Sequence, residues 1–123
     1  MIEMRGEQFD VFERQSQSEF QQRAIAQLRE GMPDEVAHCT DEELCKRVNS
    51  AMRRAGQYEL ETELEILYFL NTAVLLGDDQ FDENPEFPWA LEILEGDLDP
   101  EEKAEAVFDA AFDFIDSRDG GEK

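Results

Sequence analysis

Few side chains in this sequence have the type and spacing to do chemistry. His38, Cys39 and Cys45 stand together in "HCTDEELC", the only place where nitrogen and sulfur ligands cluster. A structural zinc takes four ligands, commonly from paired short spacings, and this stretch offers at most three. Cys39 precedes an expected helix cap while Cys45 falls inside that helix, so the two need not face one another. Cys45 is expected as a small core residue, and no metal is expected. The second candidate is the acidic stretch "GDDQFDENPEFPW". A calcium loop opening at Asp78 would need a glycine at its sixth position and a bidentate glutamate at its twelfth; the latter is Trp89. No glycine-rich phosphate loop appears and no Ser-His-Asp set can be assembled around the single histidine. Carboxylates are so abundant that no pair stands out as an acid–base dyad. The chain is therefore expected to be neither an enzyme nor a cofactor carrier.

The elements that must position these residues read as helices. A long amphipathic helix is expected over 7–30, with Phe9, Phe12, Phe20, Ala24, Ile25 and Leu28 on one face and Gly31 and Pro33 ending it. A second follows "TDEELCKRVNSAMRRAG", where Thr40 and Glu43 have capping-box spacing and Gly56 supplies a stop. Leu44, Val48, Ala51, Met52 and Ala55 form its stripe. Acids at its start and Arg53 and Arg54 at its end suit the helix dipole. Lys46, Arg47, Arg53 and Arg54 are thus expected to steady this helix and neighbouring acids rather than to bind DNA.

The third helix, opened by Thr62 and Glu65 and stopped by Gly77, is apolar on nearly all sides, as the centre of a domain should be. A short helix at "PWALEILEG" starts with Pro88 in its first turn. The last follows Asp99 and Pro100, with Ala104, Val107, Phe108, Ala111, Phe112 and Ile115 inward and Asp109, Asp113 and Asp116 outward. No strand pattern with turn signals occurs. The fold expected is all-α, a compact bundle of four to five helices with one acidic, aromatic-anchored loop. A single domain covers 1–118, and 119–123 form a frayed tail. No apolar run approaches the ~18 residues of a membrane span, and no export signal is recognisable, so the expected location is the cytoplasm.

Charge sharpens the functional reading. The net charge is −21, from 32 acids and 11 bases. Residues 55–102 contribute 15 acids with no lysine or arginine, a net −15 in one continuous stretch. Such a field repels nucleic acid and anionic membrane and attracts basic proteins. Two runs carry it, Glu59, Glu61 and Glu63 before the central helix and Asp78, Asp79, Asp82, Glu83 and Glu86 after it. These eight are the candidate partner-binding residues. Phe81, Phe87 and Trp89 are expected to pin the second run to the core, with Pro85 and Pro88 limiting its freedom, so that the acids form a preorganised docking face. The plain alternative is that the rings are ordinary core and the acids an ordinary solvated turn.

The run "AGQYELETELEILYFLNTAVLLGDDQFDENPEFPWALEILEGDLDPEEKAEAVF" resembles a family of small acidic accessory proteins. These are encoded in gene clusters of type VI secretion effectors, PAAR-type spikes and adaptors. The features that carry the resemblance are the turn at Gln57 and Tyr58, Gly77, Phe81 with Asp82, Pro88-Trp89-Ala90, and Ile93 with Leu94. It covers roughly 55–108, and here the step from glycine to phenylalanine is longer and the acidity heavier than in the family pattern. The resemblance implies association with an effector system, as accessory chaperone, adaptor or immunity protein. With the acidity, the expected partner is a protein with a basic surface, a secreted effector or its adaptor or spike, served as accessory chaperone or adaptor. Alternatives are a cognate immunity protein that covers a basic toxin cleft, and an antagonist that imitates nucleic acid.

Overall fold

A computed structural model describes residues 19–121, with side chains to Ser117. Phe9, Phe12 and the rest of 1–18 lie outside the described residues. Every regular element among the described residues is helical. In chain order these are α1 (19–31), α2 (Asp41–Gly56), α3 (Glu63–Leu76), a single 3-10 turn (Phe81–Glu83), α4 (Pro88–Leu94) and α5 (Pro100–Gly121). α5 thus runs past the boundary at 118 where a tail was expected.

α3 is the axis of the packing. It lies most extensively against α5 and also against α2, while α4 covers α5 and the 3-10 turn. Ile66, Phe69, Leu70, Ala73 and Val74 of α3 are buried together with Phe20, Ala24 and Leu28 of α1, Leu44, Val48 and Ala51 of α2, and Ala104, Val107 and Ala111 of α5. Each large apolar side chain fully removed from water contributes about 1.5–3 kcal/mol. A helix buried on most sides must also satisfy its polar groups internally. Asn71 donates from Nδ2 to the Leu67 carbonyl at 2.7 Å and to Gln27 Oε1 at 2.8 Å, and the Thr72 hydroxyl donates to the Tyr68 carbonyl at 2.7 Å.

The helix ends follow local chemistry. At α2, Thr40 Oγ1 accepts from the Glu43 N–H at 3.1 Å while Glu43 returns a carboxylate to the Thr40 N–H at 2.8 Å. At α3 the same box forms between Thr62 and Glu65, and Glu65 also accepts from the Glu61 N–H at 2.8 Å, so it is buried as a capping group. Gly77 caps α3 in the left-handed region with φ 70°. Gly31 and Gly56 are the last residues of α1 and α2, as expected of stops, but after α2 the left-handed residue is Glu59, at φ 68°.

The inner face of α5 is also shifted. Phe112, expected inward, is 57% exposed, whereas Phe114 packs against Phe87 at 5.3 Å and Trp89 at 5.8 Å between ring centroids. Two residues apart on a helix point to nearly opposite sides, so only one of the two rings can enter the core. The inward stripe is the one through Val107, Ala111 and Phe114.

Candidate functional site: the 78–102 acidic segment

The loop that leaves α3 is held from inside by its own first carboxylate. Asp78 accepts from the Gln80 N–H at 2.9 Å and from Asn84 Nδ2 at 2.7 Å, and Asn84 Oδ1 accepts from the Glu86 N–H at 2.9 Å. These bonds replace the helical ladder that stops at Gly77. The following 3-10 turn drops Phe81 into the core, fully buried, with its ring 4.8 Å from that of Phe69. Phe87 is buried and Trp89 half-buried, their rings 5.8 Å apart.

Because the 3-10 turn buries Phe81, it also buries its neighbour. Asp82 has a side chain with no exposure at all, and it cannot meet a partner. Its carboxylate accepts from Tyr58 Oη at 2.7 Å and from Arg54 Nε and an Arg54 terminal nitrogen at 2.9 and 3.4 Å. Arg54 reaches on to Glu83 at 3.1 Å. Burial, and then the hydrogen bond to the Asp82 carboxylate and its charge, push the Tyr58 phenol far above its ordinary pKa. Burial works against the Arg54 charge, but the Asp82 hydrogen bond and the charges of Asp82 and Glu83 outweigh it and raise its pKa. The cluster fastens the loop to α2.

The same pairing extends along the segment. Arg47 of α2 meets Asp79 at 2.8 Å, and Arg23 of α1 pairs with Glu63. Of the eight candidate acids, Asp82 is therefore a core group, and Glu63, Asp79 and Glu83 are each shared with an arginine. Asp78 is committed to the loop backbone, while Glu59, Glu61 and Glu86 are exposed to solvent. The candidate residues do not form one displayed patch. Their sequence neighbours hid this because the compensating arginines lie 28 or more positions away, on α1 and α2. Reversing Asp78, Asp79, Asp82 and Glu83 to lysine, which a displayed face would tolerate, would here place an ammonium against Arg54 in the core.

The acids that keep their charge toward water lie further on. Glu86, Glu92, Glu95, Asp97, Asp99, Glu101 and Glu102 are all exposed, and among the described residues none of them forms an ion pair. Leu98, 46% exposed, stands in their midst. Glu101 and Glu102 occupy the first turn of α5, where the helix dipole favours them. Glu92 and Glu95 stand at the carbonyl end of α4, which has no base in its last turn, so the dipole opposes them. The signal that could have located them is their placement in the last turn and at the C-cap of α4, where a cation is the usual choice.

Among the described residues no group of three or more His, Cys, Asp or Glu side chains is arranged to hold a metal, and no helix is long and apolar enough to cross a membrane. His38 is exposed, and Cys39 and Cys45 are half-buried free thiols. Comparisons with protein-family profiles, with curated proteins and with solved structures give no match to this chain.

Proposed function

We propose that the protein is a non-enzymatic binding protein whose α4–α5 face receives the basic surface of a protein partner. The observation that carries this reading is the sorting of the acids. Asp79, Asp82 and Glu83 of the loop are paired with arginines of the same chain and Asp78 is bonded within the loop, whereas the seven from Glu86 to Glu102 are exposed and have no cation among the described residues. Uncompensated like charges repel, and a basic partner relieves that repulsion while gaining orientation from a fixed surface. The resemblance over 55–108 supplies the setting: a cytoplasmic chaperone or adaptor that escorts a type VI secretion effector. Relative to the expectation from sequence, the docking face moves from the opening loop to the end of α4 and the connection behind it.

The experiment is affinity capture from the cell that encodes the chain, using the wild type and a Glu92→Gln/Glu95→Gln/Asp97→Asn/Asp99→Asn variant, with identification of co-eluting proteins. The reading expects a basic protein that elutes with moderate salt and is lost from the variant. Retention of the same partners by a folded, neutralised variant would refute it. If co-expression abolishes the toxicity of the captured effector rather than raising its soluble yield, the role is immunity rather than escort.

A further inference from the structure

The acidic face contains a trough. Asn84 to Phe87 and α4 enclose a cavity of about 360 Å³ that is open to solvent. Its apolar lining is Pro85, Phe87, Pro88 and Leu91. Its ionisable lining is all carboxylate, the exposed Glu83, Glu92 and Glu95 and the buried Asp82, with Asn84 beside them. That volume sits at the lower end of the ~300–1,000 Å³ typical of ligand sites, a size for one or two side chains of a polypeptide. Carboxylates alone would make a solvated face. An apolar trough alone would not say what fills it. Together they select a chain that is cationic at its edges and aliphatic between them.

Resting on the reading above, we infer that this trough is the point at which the partner is gripped, and that its occupant is a basic peptide segment with an aliphatic side chain between lysines or arginines. Charge complementarity disfavours an anionic occupant, because every ionisable side chain that lines the trough is a carboxylate and the carbonyl end of α4 adds partial negative charge. The trough is also rigid. Pro85 and Pro88 restrict its backbone, Arg54 holds Glu83 on one edge, and the Asp82 cluster ties the 3-10 turn to α2. Little ordering is needed before a peptide docks. The aliphatic side chain would enter between Phe87 and Leu91, and the cations would lie over Glu92 and Glu95.

The test uses two dye-labelled decapeptides, one alternating lysine with leucine and one alternating lysine with glycine, read by fluorescence anisotropy at low salt. The lysine–leucine peptide should bind about tenfold tighter or more, the difference reporting leucine burial. Leu91→Ser should erase most of that difference, whereas Leu64→Ser, on the separate cavity lined by Gln27, Leu67 and Tyr68, should not. Glu92→Gln/Glu95→Gln should weaken both peptides severalfold, an effect that shrinks as salt rises. Trp89, the only tryptophan, is adjacent to Phe87 and gives a second readout on unaltered protein: its emission should shift with the lysine–leucine peptide alone. Equal binding of both peptides, or a Leu64→Ser effect as large as that of Leu91→Ser, overturns the trough while leaving the acidic-face reading intact. Absence of binding by either peptide overturns both.

Discussion

Replacing Asp82 with asparagine tests the central observation about the loop, that its carboxylate belongs to the core. Asparagine has nearly the same shape, so packing around Phe81 is preserved and the perturbation is electrostatic. Removing one member of a buried ion pair costs about 3–5 kcal/mol, because the remaining charge is left uncompensated. Two features place this case at or below the low end. Arg54 keeps 14% of its side-chain surface exposed, and Glu83 still stands 3.1 Å away. The amide oxygen can also accept one of the bonds from Tyr58 or Arg54, so about 1 kcal/mol of hydrogen bonding is retained. The expected loss is ~2–3 kcal/mol, or a melting temperature lower by ~10 °C for a domain of this size. Urea unfolding followed by far-ultraviolet circular dichroism and by Trp89 fluorescence measures it. Glu83→Gln is the internal comparison. Its side chain is 63% exposed and its pairing is worth under ~1 kcal/mol. A loss below ~0.5 kcal/mol for Asp82→Asn, or one equal to that of Glu83→Gln, would show that Asp82 faces water and that the loop is displayed as its sequence suggested.

Two further outcomes follow from the same geometry. Tyr58 has a folded-state pKa raised above the ordinary value of 10.0, by burial first and then by Asp82, so its stabilising contribution is complete below about pH 10. Above that pH the unfolded phenol ionises while the folded one stays protonated. The stability difference between wild type and Tyr58→Phe should therefore narrow progressively as the pH rises above about 10 in urea titrations; a constant gap refutes the assignment. Glu59 adopts φ 68°, a conformation costly for a residue with a Cβ, on an exposed turn. Glu59→Gly should stabilise by up to about 1 kcal/mol in the same assay, and a net loss would place the strain elsewhere.

Local chemistry was legible because it is decided within a few residues. The Thr40–Glu43 and Thr62–Glu65 boxes, the left-handed cap at Gly77 and Pro88 opening α4 each depend on neighbours at fixed offsets, and each forms. The misreadings share the opposite property. Phe112 and Phe114 both continue plausible stripes, and the choice between them depends on where Phe87 and Trp89 lie across the α4–α5 packing. α2 ends at Gly56 as a glycine stop should, yet the left-handed residue is not that glycine but Glu59, whose N–H bonds back to the Gly56 carbonyl at 3.2 Å. Asp82 is the sharpest case. In sequence it is one acid among several, and nothing nearby distinguishes it from Asp79 or Glu83. Its burial is set by Arg54 and Tyr58, which reach it only after α2 and α3 have packed.

The acids divide by whether the fold itself gives them a role, and that division bears on partner recognition. Glu43 and Glu65 cap helices, Asp78 folds the loop, Asp82 anchors it, and Glu63, Asp79 and Glu83 balance arginines. Glu101 and Glu102 are favoured by the start of α5. Glu92 and Glu95 have no such role: they face solvent, lack a cation among the described residues, and oppose the dipole of the helix that presents them. Solubility does not require that particular placement, since any exposed position would serve and most would cost less. Residues whose placement works against the free chain are stabilised when something cationic covers them. Glu92 and Glu95 also line the apolar trough. The internal electrostatics of α4 and the shape of the surface beside it thus point independently to one place, where a basic chain with an aliphatic side chain would relieve the repulsion and fill the cavity in the same step.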